Sequence, residues 1–201
     1  MPRTPEENER IKEEKKEQIL RAGLTVFAEN GLAAAKMSDI AKAAGVSYGL
    51  VYNYFPSKEE IFVKLINDSF ASSQEFVAEI KGMQLPPLER IKETFIQLFN
   101  YHSSDTKGGL YYRLMLQLNF YPHLWERLSI KDLNSEPVYK FLLETIEEGQ
   151  QSGAFVDKAP QDIVLLLGYI AASFSLRGYQ GFNDKSNAQN IVDLITRMIK
   201  K

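Results

Sequence analysis

Apolar residues recur along this 201-residue chain at spacings of three and four, and the punctuation between them is that of helix ends. Thr4-Pro5-Glu6-Glu7 sets a capping threonine, a proline at the first helical position and a glutamate at the third, which satisfies the free amides of a first turn. That helix is predicted to stop at Asn30-Gly31. It carries Leu20, Leu24 and Phe27 on one face, while residues 6–17 are mostly charged, as on a solvated surface. Ser57-Lys58-Glu59-Glu60, after Pro56, is a second capping box and opens a helix to about Lys81 with Ile61, Leu65 and Phe70 among its apolar positions. Pro86-Pro87 starts another, to about Ser103, and Lys107-Gly108-Gly109 breaks the chain before a helix to Pro122. Residues 123–152 are helical in pattern, with a kink or restart at Asn134-Ser135-Glu136-Pro137 and a stop at Gly153. Pro160-Gln161-Asp162 opens a helix to about Gly181, and Ser186-Asn187-Ala188-Gln189 caps the last one. No alternation of period two marks a strand, so the predicted fold class is all-α, with about nine helices.

Residues 38–55 are the informative stretch. A short helix with Ile40, Ala41 and Ala44 turned inward meets a tight Gly45-Val46-Ser47 turn, and Ser47 caps a second short helix. Two small alanines permit close helix packing, Gly45 permits a left-handed backbone, and Val46 plugs the corner. These are the requirements of a helix-turn-helix, whose second helix enters a DNA major groove.

The run from Ile19 to Ile66 resembles the DNA-binding domain of the tetracycline-repressor (TetR) family. The matching pieces are Ile19-Leu20, Phe27, Asn30-Gly31, Asp39-Ile40-Ala41, Ala44-Gly45-Val46-Ser47, Gly49, Tyr52, Tyr54-Phe55, Lys58-Glu59 and Ile61, which span about a quarter of the chain. The remainder matches that family only in the number, order and total length of its helices. The resemblance implies a helix-turn-helix domain over 1–56 and a helical ligand-binding and dimerisation domain over 57–201. It implies that Ser47 caps the recognition helix and reaches a phosphate, and that Tyr48, Gly49, Leu50 and Asn53 face bases. Tyr52 and Tyr54 would place hydroxyls on the sugar-phosphate backbone, and Lys58 would present charge and a helix N-terminus to a phosphate. One position departs from the pattern. Lys36 stands where the family usually has a capping Thr or Ser; its ammonium suits a phosphate but cannot accept an amide, and Ser38 takes part of that role.

The second half adds two candidate surfaces. The helix from Asp162 onward is apolar nearly all round, so one side meets the core and the other needs a partner. The last helix shows Ile191, Leu194, Ile195 and Met198 at helical spacing, with Val192 and Ile199 outside that stripe. The resemblance implies a two-fold homodimer through these two helices, with Leu166, Ile170, Leu194, Ile195 and Met198 at the interface. Eight aromatic residues fall in the 31 positions from Phe95 to Trp125, against 11% over the whole chain; such a stripe suits a plain core, and the resemblance implies that it is the wall of a cavity for a largely apolar effector. The candidate lining is Phe95, Phe99, Tyr112, Met115, Leu116, Phe120, Trp125, Tyr169 and Phe174, with Tyr112, Tyr169 and Gln117 as orienting polar groups.

Charge and composition narrow the rest. With 24 Lys and Arg against 26 Asp and Glu the net charge is −2, so attraction to DNA must be local; from Ala34 to Lys58 three lysines face one aspartate. Zero cysteines and two histidines exclude a disulfide framework, thiolate metal sites and histidine-rich ones, and no cofactor is expected. The most apolar stretch, Ile163 to Phe174, falls short of the ~20 residues needed to cross a bilayer, which predicts a cytoplasmic chain with no membrane partner. No Gly-rich phosphate loop or nucleophile elbow supports catalysis. The leading expectation is a regulator that binds a palindromic DNA operator and is released by a small molecule. Against it stand an all-α enzyme or carrier with a vestigial helix-turn-helix, and an architectural DNA binder indifferent to sequence.

Overall fold

The computed structural model describes residues 4–101, 107–118, 136–176 and 185–201, with side chains at all of these except 100–101, 107, 174–176 and 185–188. Nine helices lie among them: α1 (Pro5–Ala34), α2 (Met37–Ala44), α3 (Tyr48–Tyr54), α4 (Lys58–Gly82), α5 (Pro87–Tyr101), α6 (Lys107–Leu118), α7 (Pro137–Gln151), α8 (Pro160–Leu176) and α9 (Lys185–Ile199). The helix starts follow local chemistry. Thr4 and Glu7 form a complete capping box, Ser57 accepts the Glu60 amide, and Glu136 accepts the Tyr139 amide at 2.8 Å to restart the chain as α7. The charged first half of α1 is solvated and laced by ion pairs such as Arg10–Glu14 at 3.4 Å and Lys16–Glu13 at 3.4 Å.

One boundary differs from the sequence expectation. Gly31 does not end α1: it adopts φ 76°, ψ 158°, and the helix resumes for one more turn to Ala34. The left-handed φ that suits a terminal glycine here makes a kink instead, because side chains from elsewhere in the chain hold the turn beyond it.

Two apolar cores organise the molecule. The first joins Ile19, Leu24 and Phe27 of α1 to Ile40, Ala41, Ala44 and Val51 of α2–α3. It also takes Ile61, Phe62, Leu65 and Ile66 from α4 and Tyr111, Leu114 and Leu118 from α6. Phe27 meets Phe62 edge to face, with centroids 5.5 Å apart. The second core holds Ile91 and Phe95 of α5, Leu142 and Ile146 of α7, Ile163, Val164 and Leu167 of α8, and Val192, Ile195 and Ile199 of α9. A division of the chain at 56/57 therefore cuts through the first core, whose far side is built by the start of α4 and by α6. The chain end is tied back to the α7–α8 connection, where the Val156 amide donates to Ile199 O and the Lys201 amide to Ala154 O. Among the described residues no helix is long and apolar enough to cross a membrane.

Candidate functional site

Every local feature of the helix-turn-helix motif has its predicted geometry. Ile40, Ala41 and Ala44 are buried, Gly45 sits in the left-handed region at φ 63°, ψ 34°, and Val46 packs half-buried against the first core. The Val46 amide closes the turn on Ala41 O at 3.1 Å. From α1, Gln18 Nε2 donates to Ala44 O at 2.6 Å and so caps the end of α2. Ser47 Oγ accepts the Leu50 amide at 3.2 Å, and Val51 alone anchors α3 fully in the core. Burial of one face by so few side chains leaves the rest of α3 free to make contacts outward.

The outward face carries most of the expected contact residues. Ser47, Tyr48, Gly49, Tyr52 and Asn53 are exposed, Leu50 is half-buried, and Lys36 and Ser38 are exposed at the start of α2. Tyr48 and Tyr52, 54% and 42% exposed, pair one helical turn apart, with hydroxyls hydrogen-bonded at 3.1 Å and ring centroids 4.8 Å apart. That hydrogen bond first, then desolvation and the neighbouring phenol, push the Tyr52 hydroxyl above its ordinary range, so Tyr52 meets a polyanion uncharged. Tyr54 is the partly buried member of the trio and packs against the first core. Lys36 has no capping side-chain bond; the Asp39 carboxylate accepts its amide at 3.2 Å, so Asp39 rather than Ser38 supplies the cap.

Lys58 corrects the expectation most sharply. Its Nζ turns inward and donates to Leu32 O at 2.8 Å, Ala33 O at 3.1 Å and Ala35 O at 2.9 Å. All three ammonium protons neutralise the carbonyl end of α1, so the side chain is a C-cap and does not face a phosphate.

The effector candidates separate into groups. Phe95 is buried in the second core beside Phe99, with centroids 5.9 Å apart, and Tyr112 packs on the same core with its hydroxyl 3.4 Å from Gly168 O. Burial, and secondarily the Glu136 charge, hold the Tyr112 phenol protonated far above its usual range. Met115 leans on the first core instead, and Leu116 is half-buried. Tyr169 is 67% exposed on the outer side of α8, which removes it from any lining, and Gln117 is turned to α1. Phe120 and Trp125, with both histidines, lie outside the described residues, as does the Phe174 side chain. The cleft of about 380 Å³ between α1, α4 and α6 has a charged rim including Glu13, Lys16, Arg21 and Asp68, and is not the apolar cavity expected.

The outer faces of α8 and α9 present Leu165, Leu166, Tyr169, Leu194 and Met198 to solvent, with Ile170 half-buried. Ile195 points the other way and is 1% exposed in the second core. Leu194 and Met198 of the expected stripe thus face outward, whereas Ile195 packs inward with Val192 and Ile199 and is not available to a partner.

Comparison with known proteins agrees with this arrangement. Residues 19–65 match the family model for bacterial regulatory proteins of the tetR family. The transcriptional repressor NicS of Pseudomonas putida is 24% identical over 187 residues, covering 92% of this chain and 84% of that protein. A tetR-family regulatory protein from Rhodococcus RHA1 superposes with a TM-score of 0.74 at 20% identity, covering 92% of this chain and 97% of the other. The ketosteroid transcriptional regulator KstR2 of Mycobacterium tuberculosis superposes with a TM-score of 0.72 at 20% identity, covering 92% and 95%. A capped α2–α3 unit with an outward-facing α3, joined to a second helical core, is thus an arrangement that this chain shares with DNA-binding transcriptional regulators, and its residues 19–65 are similar to the DNA-binding domain of the tetR family.

Proposed function

We propose that the chain is a homodimeric repressor that reads a palindromic operator through α3 and leaves it when a largely apolar small molecule binds the effector domain. The observation that carries this reading is α3 itself. Ser47 and Val51 fix the helix, while Tyr48, Gly49, Leu50, Tyr52 and Asn53 occupy its outward side. Without Arg or Lys on α3, base discrimination falls to Asn53 and to Leu50 against a thymine methyl, with the tyrosines and Lys36 on the backbone. The similarity to the repressor NicS supports repression as the outcome of binding.

Dimerisation is supported by the exposed apolar residues on α8 and α9, which a monomer would leave in water. Effector binding is supported by the aromatic content of α5 and α6, with Phe95, Phe99 and Tyr112 on one side of the second core. An effector that shifts operator occupancy from 99:1 to 1:99 must prefer the released state by about 5.5 kcal/mol in total, and burial of apolar surface supplies this over two sites. The test is operator selection from random duplexes, followed by a thermal-shift screen of fatty-acid, aromatic and cationic-dye libraries and DNA release with the hits. A selected palindrome and hits that release it are expected. Hits that raise the melting point but leave DNA affinity unchanged contradict effector control.

A further inference from the structure

The kink in α1 is bridged by a side chain from a distant helix. At Gly31 the backbone leaves the helical region, so the Leu32 N–H swings off the ladder, and the kink opens the main chain around the Phe27 carbonyl. Gln117, in the last turn of α6, meets both groups. Its Nε2 donates to Phe27 O at 2.6 Å, and its Oε1 accepts the Leu32 N–H at 3.2 Å. A carboxamide offers a donor and an acceptor on one rigid plane, which suits two main-chain groups on either side of a break.

The position of this bridge gives it leverage. Beyond the kink one turn leads directly into α2, and Lys58 of α4 holds the carbonyls of that same turn. The segment 31–35 is therefore clamped by α4 on one side and α6 on the other. α6 in turn has a face in each core: Tyr111, Leu114 and Leu118 pack in the first, and Tyr112 packs on the second. Apolar contacts tolerate a small slide of one helix past another. A hydrogen bond does not, because it weakens steeply once distance and angle leave a narrow range. We propose that Gln117 is a positioning residue for operator binding, which carries the placement of α6 into the Gly31 kink and thence into α2–α3. The carboxamide bridge is the joint through which the effector core and the recognition helix bias one another. This rests on the operator reading above.

Coupling between sites is reciprocal, so it can be measured from the DNA side without an effector. The experiment is hydrogen exchange of the full chain with and without its selected operator duplex, for wild type, Gln117→Met and Gln117→Glu. In wild type the duplex slows exchange at α2–α3, at the Leu32 amide and along α6. In Gln117→Met the Leu32 amide exchanges about tenfold faster, operator protection stops before α6, and operator affinity falls about three- to tenfold. Gln117→Glu keeps the acceptor but, ionised, lacks the donor, and gives an intermediate result; it also keeps the test decisive if Gln117→Met does not fold. Protection that spreads to α6 unchanged in these variants, or never reaches α6 in wild type, overturns the inference. A wild-type chain that prefers no duplex at all overturns the operator reading and this inference with it, and shows itself before any variant is made.

Discussion

Lys58 and Glu136 show how a single side chain's surroundings decide its work. An ammonium bonded to three carbonyls stabilises the end of α1 and the entry into α2, so Lys58→Met is expected to destabilise the fold by about 1–3 kcal/mol. It should leave the salt dependence of DNA binding unchanged at temperatures where the variant is folded. Lys36→Ala should do the reverse, with normal stability and a salt slope shallower by about one unit per half-site. Chemical denaturation and a salt titration separate the two, and a Lys58 variant of normal stability with a reduced slope would contradict the capping role. Glu136 sits half-buried at the start of α7. Burial pushes its carboxyl above the usual range, outweighing the opposing bonds from the Tyr139 and Val138 amides and Ser73. A raised folded-state value favours the protonated form, so the linked stability is present below the ordinary carboxylate range and is lost as pH rises through the raised value. Glu136→Gln keeps an oxygen for the Tyr139 amide and removes the charge. Its Tm is expected to exceed that of wild type at pH 7, with the gap closing toward pH 4; a gap that is constant with pH would contradict this.

At the scale of the element, α9 carries the clearest test. Leu194 and Met198 face outward while Val192, Ile195 and Ile199 fill the second core. Leu194→Asp is expected to give a folded monomer, whereas Ile195→Asp buries an unpaired charge and costs more than about 4 kcal/mol, enough to unfold the chain. Sedimentation and circular dichroism distinguish these outcomes, and a folded monomer from Ile195→Asp would reverse the register. The sequence left this phase open because the stripes 191/194/198 and 192/195/199 are both apolar, and Ile195 fits either at helical spacing. Helix starts were legible because a cap is written within four residues, as at Thr4, Ser47 and Ser57. The α1 kink was not, because the groups that hold it lie 23 to 26 residues away in Lys58 and 85 to 90 away in Gln117. The same limit explains why Lys58 and Gln117 were assigned to a phosphate and to a cavity: composition names a donor without naming what it reaches.

For the whole molecule, the arrangement of two cores around shared helices is what turns a short motif into a regulator. α4 and α6 each contribute to the core under α2–α3, and the second core begins on the opposite side of α6. The residues expected to read DNA emerge together on the outer side of α2–α3, and only Lys58 is withdrawn from that set while Tyr54 is partly buried. Sequence-specific binding through α3 is the central claim, and the most direct measurement is the ratio of affinities for the selected palindrome and a random duplex at physiological salt. Wild type is expected to prefer the palindrome by about a thousandfold or more, and Asn53→Ala to reduce that preference by about 1–3 kcal/mol for each base that Asn53 reads, without unfolding the chain. Equal affinity for the two duplexes would contradict the account.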